Sequence, residues 1–75
     1  MKIKTIEYKI NDFGEKDRTK PAKITYEEIG LENFSELLYF TRLIHAKYRV
    51  HVRYENNTEY ICVVGDDFCK HITII

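Results

Sequence analysis

The chain has no tryptophan, one proline, three glycines and two cysteines, and its 12 basic residues are balanced by 12 acidic ones. The scarcity of chain breakers and a hydrophobic fraction of 44% exclude a collagenous or a disordered chain. The zero net charge argues against strong non-specific attraction to nucleic acid or to an anionic membrane. A length of 75 residues predicts one small domain that occupies residues 1–75.

Long apolar runs are also missing. The longest run of large apolar residues, residues 37–40, is far shorter than the roughly 18–20 residues of a membrane span. The N-terminus carries a charge every second or third residue, whereas a secretory signal needs an apolar stretch of about 7–15 residues. We therefore expect a cytoplasmic protein without a membrane partner, in which Cys62 and Cys69 are reduced thiols.

One amphipathic helix is predicted over residues 34–48. Asn33 and Glu36 match a capping box at its start. Tyr39 and Leu43 fall outside its apolar stripe, among charged residues, and are expected to be exposed. The apolar stripe consists of six residues at helical spacing: Phe34, Leu37, Leu38, Thr41, Ile44 and Tyr48.

Two segments before the helix alternate between polar and apolar residues. Residues 5–10 predict a half-buried strand with its apolar side chains on one side. Residues 11–21 are polar and rich in breakers, and they predict an exposed, mobile loop. Residues 22–29 fit either a second strand or a short helical turn capped by Thr25, and the pattern leaves both open.

Three more strands are predicted after the helix. Asn56 and Asn57 suit a two-residue hairpin turn, which pairs Glu55 with Thr58. A second turn at 65–68 brings the last strand back. The predicted fold class is α+β, a small antiparallel sheet in the order β-β-α-β-β-β with one amphipathic helix on one face. Both registers place the same apolar set under the helix: Val50, Val52, Ile61, Val63, Ile72 and Ile74.

The same registers align His51, Cys62 and His71 in a row on the other face of the sheet, with Cys69 one step diagonal. Zinc accepts thiolate and imidazole ligands. The short Cys and His spacings typical of zinc sites are absent, so no metal and no cofactor is expected, although the row itself leaves metal binding open. A disulfide between the two cysteines is not expected either, because the diagonal is near the roughly 7 Å Cα limit.

Catalytic motifs are missing from the sequence. It has no glycine-rich phosphate loop, no nucleophile elbow and no H-E-x-x-H pattern. The adjacent carboxylates at 27–28 and 66–67 point apart in extended chain and do not suit acid–base chemistry. The sequence therefore predicts a protein that is not an enzyme.

Charge segregation and exposed aromatic residues indicate a protein-binding module, a stoichiometric inhibitor or modulator of a larger protein. Ile, Lys, Asn, Tyr and Phe make up 32 of the 75 residues, a bias typical of AT-rich genomes. From this bias we hypothesise a phage or mobile-element protein that blocks a host enzyme or defence system. The expected partner-binding residues are Glu28, Glu32, Glu36, Tyr39, Leu43, Glu55, Glu59, Tyr60, Asp66 and Asp67.

The alternative function is nucleic-acid binding by the basic and aromatic segment 42–54, on a platform that includes Tyr60. Its predicted contact residues are Arg42, Lys47, Arg49 and Arg53. A third hypothesis is a homodimer in which the first strand or the final strand, residues 72–75, pairs edge to edge with its copy.

Overall fold

Five strands and one helix make up the computed structural model, which describes residues 1–17 and 19–75. The strands form one antiparallel sheet in the order β2-β1-β5-β4-β3. The α+β fold class and the order β-β-α-β-β-β are confirmed. The elements are β1 (Lys2–Lys9), β2 (Lys23–Glu28), α1 (Phe34–Ile44), β3 (Arg49–Glu55), β4 (Thr58–Val64) and β5 (Phe68–Ile74).

Both predicted hairpin registers are confirmed. Glu55 pairs with Thr58 across a turn in which Asn56 and Asn57 have φ angles of 53° and 61°. Asparagine tolerates this left-handed backbone better than most residues, and two consecutive positive φ angles give the turn that matches strand twist. The 65–68 connection pairs Val64 with Cys69, as predicted.

Residues 22–29 contain strand β2, so the strand interpretation of this segment is correct. Strand β1 lies between β2 and β5, and β5 lies between β1 and β4. The first and the last strand are therefore both interior, and the expectation that either one forms an edge for a homodimer is wrong. The edges of the sheet are β2 and β3, because β1 turns back to pair with the C-terminal strand.

The helix begins as predicted and ends earlier. The Asn33 side chain accepts a hydrogen bond from the Glu36 backbone N–H at 2.9 Å, as a helix N-cap should. The last helical residue is Ile44 rather than Tyr48. Tyr48 lies in the turn that leads to β3, and its ring packs edge-on against Phe68 with centroids 5.0 Å apart. A tertiary contact outside the helix thus accounts for an apolar residue that matched the helical period.

The helix packs on one face of the sheet and closes an apolar core. Its five buried members come from three strands and the helix: Ile3, Leu37, Ile61, Val63 and Ile72. In β1 the helix-facing side carries Ile3, and the alternating Ile6 and Tyr8 are half-buried on the opposite face. Thr41, a buried polar residue of α1, donates its hydroxyl to the Leu37 carbonyl at 2.7 Å.

The opposite face is partly covered by residues 10–17, which fold back over the sheet. The Ile10 N–H donates to the Asp67 carbonyl at 2.9 Å, and the Asp17 N–H donates to the Lys9 carbonyl at 2.7 Å. The Asn11 side chain accepts backbone hydrogen bonds within this turn. The predicted mobility of the 11–21 loop stays a prediction, and Arg18 of that loop lies outside the described residues.

Candidate functional site

A groove of about 350 Å³ runs between the helix and the β1–β2 half of the sheet. The helix supplies an apolar wall that includes Phe40 and Ile44. The strands supply a polar floor of Thr5, Glu7, Lys23, Thr25 and Glu27. The groove therefore offers a partner both apolar contact area and hydrogen-bonding groups.

The groove exists because one helix cannot cover five strands. A five-stranded sheet is about 19 Å wide between its outer strands, whereas a helix with its side chains is about 10–12 Å in diameter. On the helix-facing side, β4 and β5 carry Ile61, Val63 and Ile72, which hold the helix over that half. Apart from Ile3 near one end of β1, the β1–β2 half faces the helix side with threonines and charged residues, which gain little from being covered.

Exposed apolar side chains continue from the groove wall across the helix surface. We call Tyr39, Phe40, Leu43 and Ile44 the helix patch; all four are exposed. Tyr39 and Leu43 are exposed as the helical pattern predicts. Ile44 was expected in the buried stripe, but it is 60% exposed, because the helix lies over the β4–β5 half and its groove side has no layer against it. Phe40 belongs neither to the predicted apolar stripe nor to the predicted contact residues, so its place in the helix patch was not predicted from the sequence.

The seven predicted acidic contact residues do not form one surface. Glu28 ends edge strand β2, so the width of the sheet separates it from the β3–β4 hairpin tip at the other edge, whereas Asp66 and Asp67 lie at the other end of strand β4. The N-terminal ammonium lies 3.9 Å from the Glu28 carboxylate. The groups are Glu28, Glu32 and Glu36 near the start of α1, Glu55 and Glu59 at the β3–β4 hairpin tip, and Asp66 and Asp67 in the β4–β5 turn.

Tyr60 was predicted to be an exposed contact residue, and this prediction is wrong. It is only 8% exposed, on the face away from the helix, where its ring lies against the His71 ring with centroids 4.8 Å apart. Its hydroxyl donates to the Glu55 carboxylate at 3.3 Å. Burial, followed by the negative charge of Glu55, raises the pKa of Tyr60. The ring is therefore covered and is not part of an open binding platform.

The four basic residues of the nucleic-acid hypothesis are divided between two sides of the molecule. Arg42 is exposed on the helix, and Lys47 follows it in the turn to β3. Arg49 and Arg53 alternate with the helix-facing valines of β3 and so lie on the opposite face. The structure does not bring these four cations together.

The predicted row of His51, Cys62 and His71 is present, because Cys62 pairs with His51 on one side and His71 on the other. The Cys62 and Cys69 sulfurs are 3.5 Å apart, and both cysteines are buried free thiols. A donor atom from each of Cys62, Cys69 and His71 lies within 4.8 Å of the other two. These three residues are therefore placed where they could hold one metal ion.

The surroundings of this cluster favour uncharged side chains in the free protein. Burial, and then the hydrogen bond with Cys69, raises the pKa of the Cys62 thiol to about 11. Burial, and then the positive charges of Lys16 and Arg53, lowers the pKa of His71. The cluster lines a second cavity, of about 320 Å³, whose rim includes Lys16 and Arg53.

His45, expected to be a hydrogen-bonded histidine on the apolar side of the helix, is half-buried, and its Nδ1 lies 3.0 Å from the Thr41 carbonyl oxygen.

In the described part of the chain, no helix is both long and apolar enough to cross a bilayer. No protein-family model matches this chain, and neither does any curated protein or solved structure.

Proposed function

We propose that this protein is a non-enzymatic binding module that attaches to a larger protein through the helix patch and the adjoining groove. The observation that carries the proposal is the exposure of four large apolar side chains along one side of an 11-residue helix, beside an open groove. Contiguous apolar surface with aromatic residues and a polar rim is typical of protein interfaces. Scattered exposed residues would not have this continuity.

The shape of the site favours an amphipathic helix of the partner as the occupant. A second helix laid over β1 and β2 would complete the layer that α1 only half covers. Its apolar side would meet Phe40 and Ile44, as in helix-in-groove recognition. Its polar side chains would meet the floor of the groove, where Glu7 and Lys70 are 3.9 Å apart and partly buried.

A binding role of this kind suits a stoichiometric inhibitor or modulator. The domain is small, and its apolar patch and groove lie on the same side, so one contact surface occupies much of that side. The narrower hypothesis of a phage or mobile-element protein that blocks a host enzyme or defence system is supported by composition alone. Identification of the partner is the direct test of both.

The test is affinity capture from a bacterial lysate, with and without nuclease, followed by affinity measurements on the purified partner. Tyr39→Ala and Leu43→Ala should each weaken binding by about tenfold or more, as interface anchors do. Tyr26→Ala is the matched control, because Tyr26 is 61% exposed on the opposite face and Tyr39 is 68% exposed. The control should bind as the unmodified protein does.

Two outcomes would contradict the proposal. If Tyr26→Ala weakens binding as much as Tyr39→Ala, the contact surface is not the helix patch. If the captured material disappears after nuclease treatment, the nucleic-acid alternative takes its place. In that case the double change Arg49→Glu and Arg53→Glu should abolish binding, and the unmodified protein should lose affinity steeply as salt increases.

A further inference from the structure

Two thiols and one imidazole meet on the sheet face that the helix does not cover, and a second imidazole, His51, lines the same cavity. The Cys62 and Cys69 sulfurs are 3.5 Å apart, and one nitrogen of His71 lies within 4.8 Å of both. Four-coordinate zinc has Zn–S distances of about 2.3 Å, which set a sulfur–sulfur spacing of about 3.8 Å. The two sulfurs are a few tenths of an ångström closer than this, a difference that side-chain rotation can remove.

The backbone holds these donors in place. Cys62 and His71 are direct partners in the β4–β5 ladder, and Cys69 is on the same face, opposite Val64. Both strands are interior to the sheet, so each is fixed by hydrogen bonds on two sides. Donors on rigid central strands need little ordering when a ligand binds, which favours affinity.

His51 is placed to supply a fourth donor. It pairs with Cys62 from β3 and lines the same cavity as the other three residues. Its Nδ1 is buried and has no hydrogen-bond partner among residues 1–17 and 19–75. A buried polar atom without a partner costs about 1–3 kcal/mol. Coordination of the ion by His51 Nδ1 would remove this cost, and it requires only a rotation of the ring that brings this nitrogen to the ion.

We propose that Cys62, Cys69, His71 and His51 bind one zinc ion. Two thiolates and two imidazoles are the donor set of structural zinc sites, whereas magnesium and calcium require oxygen ligands. Binding replaces the two thiol protons, which pass to solvent, so two thiolates neutralise the charge of the dication. The neighbouring cations Lys16 and Arg53 therefore meet a neutral centre.

Such an ion would link β3, β4 and β5 on the face opposite the helix. All four coordination positions would be filled by the protein, which is typical of a structural site rather than a catalytic one. The zinc site is independent of the proposed protein-binding surface, because the helix patch and the cluster lie on opposite sides of the sheet.

The test begins with the reduced, metal-free protein titrated with Co²⁺ and then with Zn²⁺. We expect one Co²⁺ per chain, with the intense visible bands of tetrahedral cobalt and a thiolate-to-cobalt charge-transfer band. Zinc should displace the cobalt at one equivalent. In the same protein, bound zinc should protect both thiols from an alkylating reagent, a readout that requires no substitution.

Variants assign the ligands. Cys62→Ser, Cys69→Ser, His71→Asn and His51→Asn should each lower zinc affinity by at least the roughly 10–100-fold that outer-shell changes cost. His45→Asn is the matched control, since His45 is the remaining histidine of the chain and caps the C-terminal end of α1, away from the cluster. The zinc affinity of His45→Asn should equal that of the unmodified protein. Circular dichroism of each metal-free variant checks that it is folded.

Several results would overturn the proposal. One is the absence of metal uptake by the reduced protein, including the case in which the two cysteines form a disulfide instead. Another is metal uptake without a thiolate band, which would indicate binding elsewhere. If zinc affinity in His51→Asn equals that of the unmodified protein, the assignment of the fourth ligand is wrong.

Discussion

The two faces of the sheet bury different kinds of side chain under different kinds of cover. Beneath the helix lie Ile3, Ile61, Val63 and Ile72, which pack with Leu37 of the helix and have no side-chain hydrogen-bonding groups. On the other face lie Tyr60, Cys62 and Cys69, beside two histidines and under the turn at 10–17. Strand β4 contributes to both, because successive side chains of a strand point to opposite faces.

This difference suggests that one face mainly stabilises the fold, whereas the other carries the side chains that can bind a ligand. Apolar contacts are non-directional, so the helix face gains most of its stability from burial, and the buried Thr41 hydroxyl there is satisfied within the helix. Each polar group on the other face requires a suitably placed partner, and His51 Nδ1 has none in the described part of the chain. We therefore expect the helix face to determine whether the chain folds, and the opposite face to respond to ligands.

The largest expected effect is on the helix face. Leu37→Ala should lower the free energy of unfolding by about 2–5 kcal/mol, because it removes buried methyl groups and leaves a cavity. A 75-residue domain has a total stability of only about 4–11 kcal/mol at 0.05–0.15 kcal/mol per residue. This variant should therefore be close to unfolding in a urea titration.

Leu43→Ala on the same helix is the matched control. Leu37 is 2% exposed and Leu43 is 58% exposed, so the same chemical change should cost no more than about 0.5 kcal/mol at Leu43. Equal losses of stability in the two variants would mean that Leu43 is packed against something, and the proposed helix patch would then be wrong.

A smaller effect is expected on the opposite face, and it depends on the zinc proposal. At a free zinc concentration of 100 times its Kd, the unmodified protein should gain about 2.7 kcal/mol of stability. Leu37→Ala should gain a similar amount, because sites without shared contacts are additive. Cys69→Ser should gain little, whereas His45→Asn should respond as the unmodified protein does. Urea midpoints with zinc and with a chelator measure all four.

Local signals explain why much of this fold was predictable. The pair Asn56 and Asn57 marks a hairpin turn, and the two-residue period then fixes which of Ile61 and Cys62 faces the helix. The strand order was not predictable in this way. The position of β1 between β2 and β5 depends on pairing between the two ends of the chain, which no short segment encodes.

The candidate sites show the same division between local and non-local information. The alignment of His51, Cys62 and His71 follows from the two turns and was predicted from them. The burial of Tyr60 depends on its packing against His71 of another strand, and the exposure of Ile44 depends on the width of the sheet relative to the helix. Neither property is present in the periodicity of its own segment.

The smallest expected effects on stability come from replacing two asparagines, one that caps the helix and one in the turn at 10–17. Asn33 caps the helix, and Asn11 accepts hydrogen bonds from the Phe13 and Glu15 N–H groups at 3.0 Å. Asn33→Ala should lower stability by about 1 kcal/mol. Asn11→Ala should cost about 0.5 kcal/mol or less, because these exposed N–H groups can bind water instead.

The two asparagine variants should differ more clearly in where the structure opens than in how much stability is lost. In the metal-free protein, Asn11→Ala should speed alkylation of Cys62 and Cys69 by more than its loss of stability accounts for, because the turn directly covers them. Asn33→Ala should speed alkylation only in proportion to its loss of stability. If both variants follow stability alone, thiol exposure requires global unfolding, and the two faces belong to one cooperative unit in spite of their different covers.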